Sequence, residues 1–161
     1  MSIKKIIAIQ ADPIEKINIK TDTTFLLALE TQKRGYKIYW YETKDLHFIS
    51  SKLFISATEV KFYENKKKYF KMIKKNKFDL SKAKYVLIRQ NPPFNMDYVT
   101  STLLLDTIKN KTKIINNPTS VRNISEKLFS INFLKLMPPT IFTKNIQEIV
   151  NFKKKIQKNS S

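Results

Sequence analysis

The chain has 161 residues, enough for one ordinary domain with a real core, and 42% of them are hydrophobic, as in a globular protein. It has no cysteine, which excludes disulfides and thiolate metal sites, and no apolar run long enough to span a bilayer. The formal net charge is +18, but Arg34, Arg89 and Arg122 are the only arginines among 31 basic residues, so the excess reads as a lysine-rich surface, with a polyanionic partner as the alternative.

The opening residues pair a short basic stretch with a short apolar one. That falls short of a signal sequence, and a cytoplasmic location is expected. Residues 3–9 predict a first strand that ends at Asp12-Pro13. Thr21 or Asp22 can cap a helix over residues 23–34, with Phe25, Ala28, Leu29 and Gln32 along one face. Gly35 suits the position just past that helix, and residues 37–41 (KIYWY) predict a second strand. Strand, loop, helix, glycine, strand is a βαβ unit, so the expected fold class is α/β: an open, mostly parallel sheet with flanking helices. Residues 46–62 predict an antiparallel hairpin around Ser51-Lys52. Residues 65–77 are lysine-rich, with Tyr69, Met72 and Ile73 at helical spacing. They predict a solvated helix or loop, with an anion-steering patch as the alternative.

Residues 84–95, KYVLIRQNPPFN, organise the chain. Tyr85 to Ile88 form a continuous apolar run of β-formers, the signature of a strand covered on both faces. Pro92 and Pro93 stop it. Arg89 would then lie at the carboxyl end of a parallel strand, where open α/β sheets bind ligands, with a guanidinium suited to carboxylate or phosphate. The alternative is a strand-ending turn with an arginine in water. Asn95 or Asp97 can cap a helix to about residue 110, and residues 113–115 predict a short strand. Asp12-Pro13, Asn91-Pro92 and Asn117-Pro118 would share one sheet edge. Beyond Pro118, the pattern predicts one helical turn at 120–123, a helix over 125–136, a strand at 140–143 and a helix from Asn145 to about residue 156. The single glycine excludes a GxGxxG or Walker loop. His47, Trp40, Glu42 and Asp45 suggest no acid–base pair, and no metal spacing occurs. Neither a catalytic residue nor a metal site is expected in this chain.

Five blocks, in order and spacing, resemble the N-terminal part of the bacterial glutathione synthetases, ATP-grasp ligases that join γ-glutamylcysteine to glycine. They are the strand ending at Asp12-Pro13, INIKTDTTF (17–25), QKRGY (32–36), LIRQNPPFN (87–95) and INNPTSVRNISEKLF (115–129). The resemblance implies a Rossmann-like pre-ATP-grasp substrate domain over residues 1–121. It implies the truncated opening of an ATP-grasp domain, helical and α+β, over residues 122–161. It implies ATP and Mg²⁺ as cofactors, an acyl phosphate intermediate, γ-glutamylcysteine and glycine as substrates, and a homo-oligomer. Arg89 matches the arginine of the family's R-x-D-P-P-F block. Lys20 and Asp22 match the polar pair of N-I-K-x-D, and Lys127 matches a lysine at the nucleotide site. Asn91, on the same substrate-binding block, stands where Asp is common, which keeps an acceptor oxygen and removes a charge. Asn117 and Thr21 stand where lysines are usual. The family's glycine-rich loop, acidic Mg²⁺ ligands and substrate-binding arginine would all follow residue 161, so the chain alone is expected to lack ligase activity. Two other readings stay open: a non-catalytic α/β module that holds a γ-glutamyl peptide or a partner subunit, and a basic nucleic-acid-binding protein.

Overall fold

The structure is a computed structural model and describes residues 5–65, 68–125 and 127–158. The elements run β1 (Ile6–Gln10), α1 (Thr23–Lys33), β2 (Lys37–Tyr41), β3 (Leu46–Ile49), β4 (Lys52–Phe62), β5 (Phe70–Asp79), β6 (Tyr85–Ile88), α2 (Met96–Asp106), β7 (Lys113–Ile115), α3 (Pro118–Asn123) and α4 (Ile146–Lys158). They form two compact units, residues 1–122 and 123–161.

In the first unit, β1 is buried along its whole length, as its apolar run predicts. It pairs in parallel with β2 on one side and β6 on the other, and β6 pairs in parallel with β7. The sheet then turns antiparallel. The long strand β4 pairs with β2, β3 and β5. β5 overlaps the stretches of β4 that face β2 and β3, so it holds β4's opposite edge. The class is α/β with a mixed sheet, parallel at its centre and extended by an antiparallel flap.

Strand alternation sorts the two cores. Ile7, Ile9, Ile38 and Trp40 pack with Phe25, Ala28 and Leu29 of α1. Ile6, Ala8, Tyr39, Val86 and Ile88 pack with Leu105 of α2. Burying one such large side chain contributes about 2 kcal/mol. The caps are those the sequence predicts. Asp22 Oδ1 accepts the Thr24 N–H at 2.7 Å, and Asn95 Oδ1 accepts the Tyr98 N–H at 3.0 Å. Gly35 adopts φ +78°, the left-handed value that a glycine takes at least cost.

Three expectations fail. Residues 70–79 form strand β5, not a helix or loop. The apparent helical stripe lost to nine pairings with β4, with Phe78 stacked edge-on against Tyr39 at 4.9 Å. Lys66 and Lys67 of that run lie outside the described residues. Residues 140–143 are not a strand. The helix expected over 125–136 is a 3₁₀ segment, Leu128–Leu136, broken at Phe133 (φ −124°, ψ 36°). Ser130 Oγ donates to the Lys127 carbonyl and Asn132 Nδ2 to the Phe129 carbonyl, local bonds that compete with regular helix.

In the second unit, neither the 3₁₀ segment nor α4 has a buried residue. Leu136 is 84% exposed and Ile146 76%. No helix of the described residues is long and apolar enough to cross a membrane.

Two features give direct tests. The β3–β4 turn places Ser50 and Ser51 at φ 48° and 64°, the type I′ geometry that favours glycine. Ser51→Gly should raise unfolding stability by about 0.5–1 kcal/mol in a urea titration, and an unchanged or lower midpoint contradicts this turn. Asp106 on α2 accepts bonds from Arg122 Nη2 and, at 3.0 Å, from Thr119 Oγ1. Burial pushes its carboxyl up, but these donors and the Arg122 and Lys109 charges outweigh burial and hold it below the usual carboxylate range. A lowered native value stabilises the fold above the unfolded value and is lost as pH falls through the native one. The stability advantage of the wild type over Asp106→Asn should therefore be full at neutral pH and shrink progressively as pH falls below about 4. An advantage undiminished between about pH 7 and pH 2 would contradict the assignment.

Candidate substrate site at the strand ends

The site begins where β1 and β6 stop together. The Arg89 N–H donates to the Gln10 carbonyl at 2.7 Å, and the Ala11 N–H to the Tyr41 carbonyl at 3.0 Å, so both ladders run one residue past the strands. Asp12-Pro13 and Asn91-Pro92 then lead the chain away, because proline has no N–H to continue the pairing. One carboxylate oxygen, Asp12 Oδ2, accepts both the backbone N–H of Asn91 at 3.1 Å and its side-chain Nδ2 at 2.7 Å. Trp40 Nε1 donates to the Asp12 carbonyl at 3.0 Å.

A cleft of about 130 Å³ opens between these strand ends and the N-terminus of α1, lined by Asp12, Lys16, Asp22, Thr24, Arg89 and Asn91 among others. Alternation along β6 sends Val86 and Ile88 to the α2 face and Leu87 to the α1 face. Arg89 follows Leu87. Its Nε donates to Thr24 Oγ1 at 3.1 Å and its Nη2 to Thr23 Oγ1 at 2.7 Å. Among the described residues no carboxylate lies within ion-pair distance of Arg89, although ion pairs form elsewhere, such as Arg122 with Asp106. The N-terminus of α1 adds its partial positive charge. Guanidinium and helix terminus together suit a carboxylate or phosphate.

A second cleft of about 140 Å³ lies on the α2 side and shares Asp12 and Asn91 with the first. Glu42, Gln90, Asp97 and Tyr98 also line it. Burial pushes the Tyr98 phenol up, against a smaller opposite pull from the Arg89 charge.

Of the residues singled out in the sequence, Arg89, Asp22 and Asn91 come together at the first cleft. The Asn91 amide is turned onto Asp12. Lys20 is exposed in the turn before α1, where its N–H donates to Asn18 Oδ1, and it does not line the cleft. Lys16 does, from the 3₁₀ turn Ile14–Lys16. Lys127 is exposed and belongs to the second unit. The sequence reading missed Lys16 and the tie made by Asp12. The Asx-Pro pair pointed toward both, since the loop after Pro13 leaves the same sheet edge. Among the described residues, no group of three or more His, Asp or Glu could hold a metal ion. The arrangement can bind and orient an anion. It contains no nucleophile paired with a base.

Asp22 has two candidate roles, helix cap and ligand contact, and one pair of variants separates them. Asp22→Ala should lower stability by about 1 kcal/mol through the lost cap, while Asp22→Asn should stay within a few tenths of a kcal/mol of the wild type, read by thermal unfolding. Equal losses in both would show that the charge, not the cap, matters to the fold.

Comparison with known proteins places this geometry in a family. Residues 6–122 match the family described as prokaryotic glutathione synthetase, N-terminal domain. The glutathione synthetase of Bradyrhizobium diazoefficiens is 41% identical over 149 residues, covering 92% of this chain and 48% of the relative. That of Agrobacterium fabrum is 39% identical over 149 residues, 92% of this chain and 47% of the relative. That of Buchnera aphidicola subsp. Baizongia pistaciae is 39% identical over 143 residues, 88% of this chain and 44% of the relative. The chain thus spans about half the length of the curated relatives it matches. With its first unit matched almost end to end, the chain belongs to the prokaryotic glutathione synthetase family.

Proposed function

We propose that this chain supplies the substrate-holding part of an ATP-dependent carbon–nitrogen ligase that joins γ-glutamylcysteine to glycine in glutathione biosynthesis. Family membership supports the reaction class. The observation that carries the local role is the Arg89 guanidinium, held by two threonine hydroxyls at the mouth of a cleft, with no carboxylate partner among the described residues. In this reading a carboxylate of γ-glutamylcysteine pairs with Arg89, near the α1 N-terminus, and Lys16 adds a second cation at the rim. Asp12 and Asn91 shape the floor. Lys20 draws the anion from outside the cleft.

ATP and Mg²⁺ are the cofactors this reaction class needs. The described residues do not fit them. They include no carboxylate cluster for a divalent ion, and the one glycine, Gly35, is exposed behind α1 rather than in a phosphate loop. The nucleotide site therefore falls to the part of the family fold that this chain does not match, with Lys127 as this chain's contribution to a phosphate. A second reading, a γ-glutamyl-peptide binding module without chemistry, draws on the same cleft, whose polar groups suit holding a ligand and pair no nucleophile with a base.

Isothermal titration of the 161-residue chain with γ-glutamylcysteine tests the proposal. Binding is expected, and Arg89→Ala should weaken it at least about tenfold, the loss of a charge-assisted hydrogen bond. Absence of binding, or binding indifferent to Arg89→Ala, would overturn it. Release of ADP on adding ATP and glycine would exclude the purely binding module.

A further inference from the structure

Gln10 closes β1 and is fully buried on the α2 face, beside its register neighbours Tyr41 and Ile88. Its Nε2 donates to Gln90 Oε1 and, at 3.3 Å, to Ser101 Oγ of α2. Ser101 Oγ in turn donates to the Tyr98 carbonyl at 2.8 Å. The Gln10 backbone carbonyl accepts the Arg89 N–H. One residue therefore grips two successive residues of the strand end, Arg89 by the backbone and Gln90 by the side chain.

Stability does not explain a glutamine there. Gln10 Oε1, Gln90 Nε2 and the Tyr41 hydroxyl are all buried without a hydrogen-bond partner among the described residues. Each such orphan costs about 1–3 kcal/mol. An apolar side chain at position 10 would remove the Gln10 Oε1 orphan from the core, and would also release Gln90. Local rules broken at a stability cost are expected at functional sites.

What the glutamine does is geometric. Successive residues of a strand face opposite sides. Fixing Gln90 toward α2 obliges Arg89 to point toward α1, where Thr23 and Thr24 receive it. Asn91 is then caught by Asp12. We propose that Gln10 is a positioning residue for Arg89: through Gln90 and Ser101 it sets the direction of the guanidinium at the cleft. The inference rests on Arg89 being the anion-binding group of the proposed function.

Its test reads Arg89 directly, on the full 161-residue chain. In Gln10→Met and in Gln90→Met, the amide spectrum of β1 and β6 should be retained. The Arg89 Nε–H signal should shift and exchange with water about tenfold faster, as its bond to Thr24 loosens. Affinity for γ-glutamylcysteine should fall about tenfold in both variants, and little further when either is combined with Arg89→Ala. A wild-type Arg89 Nε–H signal in both variants, with only a changed melting temperature, would show a merely structural glutamine and overturn the inference. If Gln10→Met fails to fold, Gln90→Met decides, since Gln90 is only partly buried. If the wild type does not bind γ-glutamylcysteine, the proposed function falls, while the Arg89 signal still decides this inference.

Discussion

The rim of the sheet depends on the two hydrogen bonds that the Asp12 carboxylate accepts from Asn91. They tie the exits of two neighbouring parallel strands just where prolines end backbone pairing. Both fall on one oxygen of that carboxylate. Asp22, the other acid at the cleft, is likewise engaged as the α1 cap. Both acids hold local structure, and among the described residues neither pairs with Arg89.

Much of this was legible before any coordinates. β1, β2, β6 and β7 were visible as short apolar runs, and the α1 and α2 caps followed from Asp22 and Asn95. Parallel strands with Asx-Pro exits put Asp12, Asn91 and Asn117 at one edge, as the pairing of β1, β6 and β7 bears out. Arg89 could be placed at that edge from the position of the strand end alone. What stayed hidden depends on contacts distant in sequence. β5 is lysine-rich and reads as helix or loop until β4 offers it a partner. Lys16 rather than Lys20 reaches the cleft because a 3₁₀ turn after Pro13 folds back, while the Asn18 turn throws Lys20 outward. No pattern in the sequence shows that Gln10 and Gln90, eighty positions apart, meet in the core.

Net charge is a poor guide to this site. The chain carries +18, yet the cleft lining balances Lys16 and Arg89 against Asp12 and Asp22. The second unit shows a different economy. Many of its apolar residues, Leu134, Leu136 and Ile146 among them, are exposed, and neither its 3₁₀ segment nor α4 has a buried residue. Relatives about twice as long share this stretch.

The antiparallel flap has one more consequence. Among the described residues β5 pairs only with β4, so one side of a ten-residue strand is an open border of backbone donors and acceptors. Lys71, Lys74, Lys75 and Lys77 project along it, all exposed. Like charges at such a border repel a second copy that would otherwise zip on as an eighth strand. That guard is electrostatic, and at 1 M salt its reach shrinks to about 3 Å. High salt therefore weakens that guard most at the free edge of the flap.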